Sequence, residues 1–150
     1  MNIPIVYLDN CCFNRPFDDQ DQLKVRLESE AKLHIQAKVK NGQLLLVWSF
    51  VLDYEIKNNP AIDRREPIEK WETLATHAVP PLPEIEIAAL RFQSMGIKPM
   101  DALHLACAVH AQCVYFFTTD KGILKKRDLV PELSILNPVE YVESVEESDD

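Results

Sequence analysis

Four acidic residues, Asp9, Glu55, Asp101 and Asp120, stand where the local pattern ends a strand or passes into a short helix. Asp9 closes the apolar run Ile5-Val6-Tyr7-Leu8. Asp120 follows Val114-Tyr115-Phe116-Phe117 after Thr118 and Thr119. Asp101 opens Ala102-Leu103-His104-Leu105-Ala106, and Glu55 comes shortly after Leu44-Leu45-Leu46-Val47. Strands of one sheet can bring such residues to a common end. Converging carboxylates repel one another unless a divalent cation neutralises them. Oxygen donors of this type suit Mg²⁺ or Mn²⁺, and a cation held that way points to phosphate chemistry.

The elements that must position these acids follow from periodicity. Residues 3–8, 44–48 and 114–117 are short β-branched or aromatic apolar runs and read as buried strands, with 133–136 as a last short strand. Between them lies a predicted helix over 20–41. Leu23, Leu27, Ala31, Ile35 and Val39 recur every four residues there, a stripe expected to face the core, and Asn41-Gly42 stops it. Ser49 caps a short helix through Lys57. Asp63 is expected to cap a helix over 64–77 with Ile68, Trp71, Leu74 and Ala75 inward. Pro80-Pro81-Leu82-Pro83 marks a connection. Helices then run over 84–95, stopping at Gly96, and from Pro99 or Met100 to about Gln112. A short one spans 121–126, and a last turn spans 138–142. Strands alternating with helices predict an α/β fold, a parallel sheet covered on both faces.

The chain has 150 residues, 47% hydrophobic and 27% charged, the size and balance of one domain with its own core. No stretch approaches the roughly 20 apolar residues of a membrane span, and Met1-Asn2-Ile3-Pro4 lacks a basic leader. Four cysteines without chelating pairs read as reduced thiols of a cytoplasmic protein. A net charge of −8 argues against a protein that merely coats nucleic acid. It leaves room for a nuclease, whose metal would offset part of that charge. Another part lies in residues 143–150, expected to be a solvated, disordered acidic tail after a domain spanning 1–142.

In order and context, Tyr7-Leu8-Asp9-Asn10-Cys11, Glu55, Asp101-Ala102-Leu103-His104-Leu105-Ala106 and Phe117-Thr118-Thr119-Asp120-Lys121 resemble the PIN-domain ribonucleases, most of all VapC-like toxins of toxin–antitoxin pairs. The resemblance covers residues 3–142. It implies a PIN-like three-layer α/β/α sandwich with a mostly parallel central sheet. It also implies an acidic pocket of Asp9, Glu55, Asp101 and Asp120 holding one or two Mg²⁺ or Mn²⁺ ions, with Thr118 supporting the last carboxylate or a metal-bound water. Implied with these are an RNA substrate cut to leave a 5′-phosphate, an antitoxin partner and a homodimer. One position departs from the pattern: many relatives carry Ser, Thr or Asn where Cys11 stands, and Asn10 is the candidate to replace that support, although strand alternation would turn it to the opposite side.

Each acid also has an ordinary explanation on its own: a turn residue for Asp9 and Asp120, a first-turn or capping acid for Asp101, a solvated acid for Glu55, with Asp53 a nearby competitor for its role. Arg15 is a candidate phosphate contact or an anchor for Asp18 or Asp19. Lys121, Lys125, Lys126 and Arg127 form either a phosphate-steering patch or a solvated helix face. His104, three residues from Asp101, is a neighbour of the pocket or a packed histidine. His110 lies on the same helix after Asp101, His34 and His77 show no ligand spacing, and Trp48 and Trp71 read as core. Two functions stand: a metal-dependent endoribonuclease, and a non-catalytic PIN-like module that binds RNA or a protein.

Overall fold

The computed structural model describes residues 2–146. Its frame is a five-stranded sheet of β1 (Ile5–Leu8), β2 (Leu45–Ser49), β3 (His77–Val79), β4 (Tyr115–Phe117) and β5 (Ser134–Leu136), in the order β3-β2-β1-β4-β5. Every pairing is parallel. Val6, Tyr7 and Leu8 alternate between the two faces of the middle strand, yet all three are fully buried. Both faces are therefore covered, and this is why the central strands are continuously apolar rather than alternating.

The covering helices are α1 (Asn10–Asn14), α2 (Leu23–Lys40), α3 (Phe50–Lys57), α4 (Ile62–Glu69), α5 (Pro83–Ser94), α6 (Pro99–His110), α7 (Lys121–Lys125) and α8 (Pro138–Tyr141). The Ser49 hydroxyl accepts from the Leu52 N–H at 3.1 Å and starts α3 as expected. Gly96, at φ +94°, lets the chain turn sharply after α5. Parallel strands end on one side, so the segments after β1, β2 and β4 share the C-terminal end of the sheet. Register sharpens this. Leu8 lies opposite Phe117, and the Asp9 N–H donates to the Phe117 carbonyl at 2.9 Å, which puts Asp9 beside Thr118.

Several expectations are corrected. The chain leaves the strand at Asp9 and enters α1 at once, so alternation does not govern Asn10 and Cys11. The helix expected over 64–77 begins after Ala61, with Asp63 inside its first turn. It carries Pro67, tightens into a 3₁₀ turn at Lys70–Leu74, and leaves Leu74 exposed. Strand β3 was not expected; it is a short edge strand, and the prolines that follow cannot extend its ladder. In α2 the stripe is core only in its second half. Ala31, Ile35 and Val39 are buried, whereas Leu23 and Leu27 are exposed and the buried face carries Glu28, Ser29, Lys32 and Gln36. Residues Val142–Glu146 continue past α8 as a π-helical turn, and the rest of the expected tail, 147–150, lies outside the described residues.

Candidate functional site

Asp9 is the most confined of the four acids, only 6% exposed. The Asn10 N–H donates to its Oδ1 at 2.8 Å, which makes Asp9 the N-cap of α1. The Thr118 hydroxyl donates to Oδ2 at 2.9 Å, and the same hydroxyl oxygen accepts the Asp120 N–H at 3.0 Å. One threonine thus links the acid after β1 to the acid after β4. Asn10 supports Asp9 through its backbone only, because its side-chain oxygen accepts from Asn14 Nδ2 at 3.1 Å. Cys11 fills the expected position after all. Its thiol donates to Asp9 Oδ2 at 3.4 Å, lies 3.4 Å from Thr118 Oγ1 and accepts the Thr119 N–H at 3.3 Å. A serine hydroxyl is a stronger donor of the same kind. Under the expectation of a metal-dependent nuclease, Cys11→Ser should therefore keep or raise Mn²⁺ affinity and cleavage rate, measured by calorimetry and RNA turnover. A loss of both would mean that sulfur has a role of its own.

Asp120 caps α7, its Oδ1 accepting from the Gly122 N–H at 2.7 Å. Asp101 sits in the first turn of α6, after the helix-starting Pro99. The two acids line one small cavity of about 40 Å³ together with Ile97, Lys98 and Lys126. Burial, then the charges of Asp9 and Asp120, push the Asp101 carboxyl up to about 6 against the opposing pull of His104 and Lys98. A carboxyl whose folded pKa is raised favours the fold below its unfolded value, near 4, and loses that contribution as pH rises through 6. Asp101→Asn should accordingly raise the Tm of the metal-free protein at pH 7.5. The gain, about 2–4 °C for each 1 kcal/mol of relieved repulsion, should vanish on acidification to pH 4. A pH-independent Tm difference would contradict the shared field.

Glu55 lies on α3, half-buried. Its competitor Asp53 is engaged by Lys57 at 2.8 Å on the exposed flank of the same helix. Glu55 Oε1 is hydrogen-bonded by Nε2 of His104, whose Nε2 is also 3.8 Å from Asp9 Oδ1. The His104 Nδ1 meets the Tyr7 hydroxyl at 2.6 Å, and that hydroxyl meets Ser49 Oγ at 2.7 Å. Burial pulls the imidazole down, but the bond to Glu55 and the charges of Asp9, Glu55 and Asp101 outweigh it, so its pKa is raised overall. His104 is thus a pocket neighbour as well as a packed residue. Tyr7 and Ser49 were missed in the sequence. The available signals were a lone hydroxyl inside the apolar run of β1 and the Asp101-x-x-His104 spacing.

The basic residues divide. Arg15 is an anchor: its Nε donates to Glu28 at 2.8 Å and its Nη1 to Asp18 at 3.1 Å. Arg127 bonds the Ile135 carbonyl and Glu140, and Lys126 bonds the Gly96 carbonyl. Lys121, next to Asp120 in the chain, and Lys125 at the end of α7 remain exposed.

Among the described residues, no three His, Cys, Asp or Glu side chains form a closed ligand set. The donors fit a hard cation by type and by electrostatics. Mg²⁺ keeps several waters and needs few protein carboxylates, and Asp101 carries the repulsion that such a cation would relieve. No sequence-family profile matches the chain, and no curated protein matches it in sequence. Solved structures do. VapBC2 from Rickettsia felis, bound to a DNA fragment from their promoter, aligns over 89% of this chain and 98% of that one at TM-score 0.54 and 12% identity. VapBC-1 from nontypeable Haemophilus influenzae aligns over the same shares at TM-score 0.57 and 14% identity. The fold is that of a VapC-like PIN domain. In this PIN fold the all-parallel sheet is more regular than the mostly parallel one expected. No helix among the described residues is long and apolar enough to cross a membrane.

Proposed function

We propose that the chain is a metal-dependent endoribonuclease, the toxin of a toxin–antitoxin pair. The observation that supports this reading best is geometric: Thr118 bonds both the Asp9 carboxylate and the Asp120 N–H, and Asp120 lines one small cavity with Asp101. Glu55 is tied to the same place through His104. Asp9, Glu55, Asp101 and Asp120 would hold Mg²⁺ or Mn²⁺, which supplies a nucleophilic hydroxide near neutral pH and neutralises charge on the phosphate. Thr118 fixes the Asp9 carboxylate, and the exposed Lys121 beside Asp120 offers a contact to an RNA phosphate. The VapBC likeness supports an antitoxin partner for this chain. A homodimer belongs to the same reading.

The absence of a closed ligand set among the described residues favours one alternative, a PIN-like module that binds RNA or protein without cutting. A single experiment separates the two. Purified protein is incubated with single-stranded RNA in Mn²⁺, with and without EDTA, while Mn²⁺ binding is followed by calorimetry. The nuclease reading expects EDTA-sensitive cleavage and measurable binding. RNA retained intact by a protein that binds no Mn²⁺ would leave the module.

A further inference from the structure

We propose that Ser49, Tyr7 and His104 form a buried clamp that holds Glu55 level with Asp9, so that His104 is a positioning residue for the acidic site. The link to a cation rests on the nuclease reading; the clamp itself rests on hydrogen bonds alone.

Its geometry is a closed loop across one helix. Ser49 is the N-cap of α3, and Glu55 is on the second turn of that same helix. From Ser49 Oγ the path runs 2.7 Å to the Tyr7 hydroxyl on β1, 2.6 Å on to His104 Nδ1 on α6, and from His104 Nε2 back to Glu55. Helix α3 is thus gripped at two points by side chains from a central strand and a neighbouring helix. Asp9 follows two residues after Tyr7 on the same segment. The element that anchors the clamp therefore also carries the first acid.

A polar path of this kind is costly to bury unless every group is paired. Tyr7 is fully buried, and Ser49 and His104 are 2% and 1% exposed. Apolar residues would fill the same space. The path ends at the one member that reaches solvent, since the Glu55 side chain is 26% exposed. The donors are also consistent in either charge state of the ring. With neutral imidazole, Ser49 donates to Tyr7, Tyr7 to Nδ1, and Nε2–H to Glu55. With imidazolium, Nδ1–H donates to Tyr7, Tyr7 to Ser49, and Nε2–H again to Glu55. Glu55 receives an N–H in both, so the clamp does not depend on protonation. It engages Oε1, and the carboxylate has a second oxygen for a cation. Because Nε2 also lies 3.8 Å from Asp9, one ring spaces two acids from different elements.

Tyr7→Phe tests this by removing one oxygen that touches no carboxylate while keeping the ring stacked on Phe116. In the full chain, the ¹³C carboxyl resonance of Glu55 should move. Mn²⁺ affinity should fall on the order of tenfold, the lower end of losses for partners that orient ligands, and kcat should fall with KM unchanged. Placed on Glu55→Gln, Tyr7→Phe should weaken Mn²⁺ binding no further. A second pair guards against loss of folding: His104→Gln, whose amide can still donate to Glu55, should bind Mn²⁺ more tightly than His104→Ala. A lower Tm with the Glu55 resonance and Mn²⁺ affinity at their wild-type values would overturn the clamp, as would equal binding by the two His104 variants. If wild-type protein binds no Mn²⁺, the nuclease reading falls instead. The Glu55 resonance in Tyr7→Phe then decides the clamp alone.

Discussion

Replacing Asp9 by Asn is expected to abolish Mn²⁺-dependent RNA cleavage while leaving the chain folded. The amide keeps the shape of the carboxylate. It can still accept from the Asn10 N–H, so the cap of α1 survives, and Thr118 can still pair with it. What disappears is the negative charge, and charge is what holds a hard cation. The loss should exceed the roughly 10–100-fold that removal of an outer partner costs. It should also show without metal: with one of its two like-charged neighbours gone, Asp101 should titrate closer to an ordinary aspartate than its present value of about 6. Cleavage assays with a circular-dichroism melt, and carboxyl NMR titration, read the two effects. Undiminished cleavage by Asp9→Asn would remove the metal mechanism.

Arg15→Ala should damage stability and leave RNA binding alone. The Glu28 side chain is 2% exposed and takes its 2.8 Å bond from Arg15 Nε. Asn137 Nδ2 also reaches Glu28, but it carries no charge. Asp18, the other partner, keeps Arg64 at 3.0 Å. Removing the arginine leaves the buried Glu28 carboxylate without its cation; with Arg15 itself partly exposed the cost is about 1–3 kcal/mol, a fall in Tm of several degrees. Loss of an arginine that gripped phosphate would instead flatten the salt dependence of RNA affinity. Thermal melts at pH 7 and binding over a salt series distinguish these, and an unchanged Tm with a flatter salt slope would restore Arg15 as a phosphate contact.

The framework of the fold was legible because strong local signals agreed with tertiary need. Ser49 caps α3, Gly96 ends α5, and the apolar runs at 5–8 and 115–117 are central strands. The candidate site was marked in the same way for three of its acids, since Asp9 and Asp120 cap helices and Asp101 lies in a first turn, whereas Glu55 sits inside α3. What escaped was decided by long-range partners. Leu23 and Leu27 completed a four-residue rhythm, yet α2 buries Glu28 instead, because Arg15 and Asn137 arrive from elsewhere to satisfy it. Periodicity counts apolar residues and cannot see that pairing. His104 was weighed by its spacing to Asp101, while its partners Tyr7, Glu55 and Asp9 are 97, 49 and 95 positions away in the chain. Strand β3 had only His-Ala-Val as its signal, and its pairing with β2 supplies the rest.

The middle place of β1 has a consequence for synthesis. A ribosome delivers β1 first, and the partner for one flank is present once residues 45–49 have emerged. The other flank waits for β4, some 70 residues later, which at about 5–20 residues per second is a delay of several seconds. Thr118 and Asp120 arrive only with that strand, so until then Asp9 lacks the hydroxyl that fixes its Oδ2 and the acid that shares its field. A nascent or prematurely terminated chain short of residue 115 therefore cannot assemble the site. Completion of the acidic site is thereby timed by translation to nearly the end of the domain.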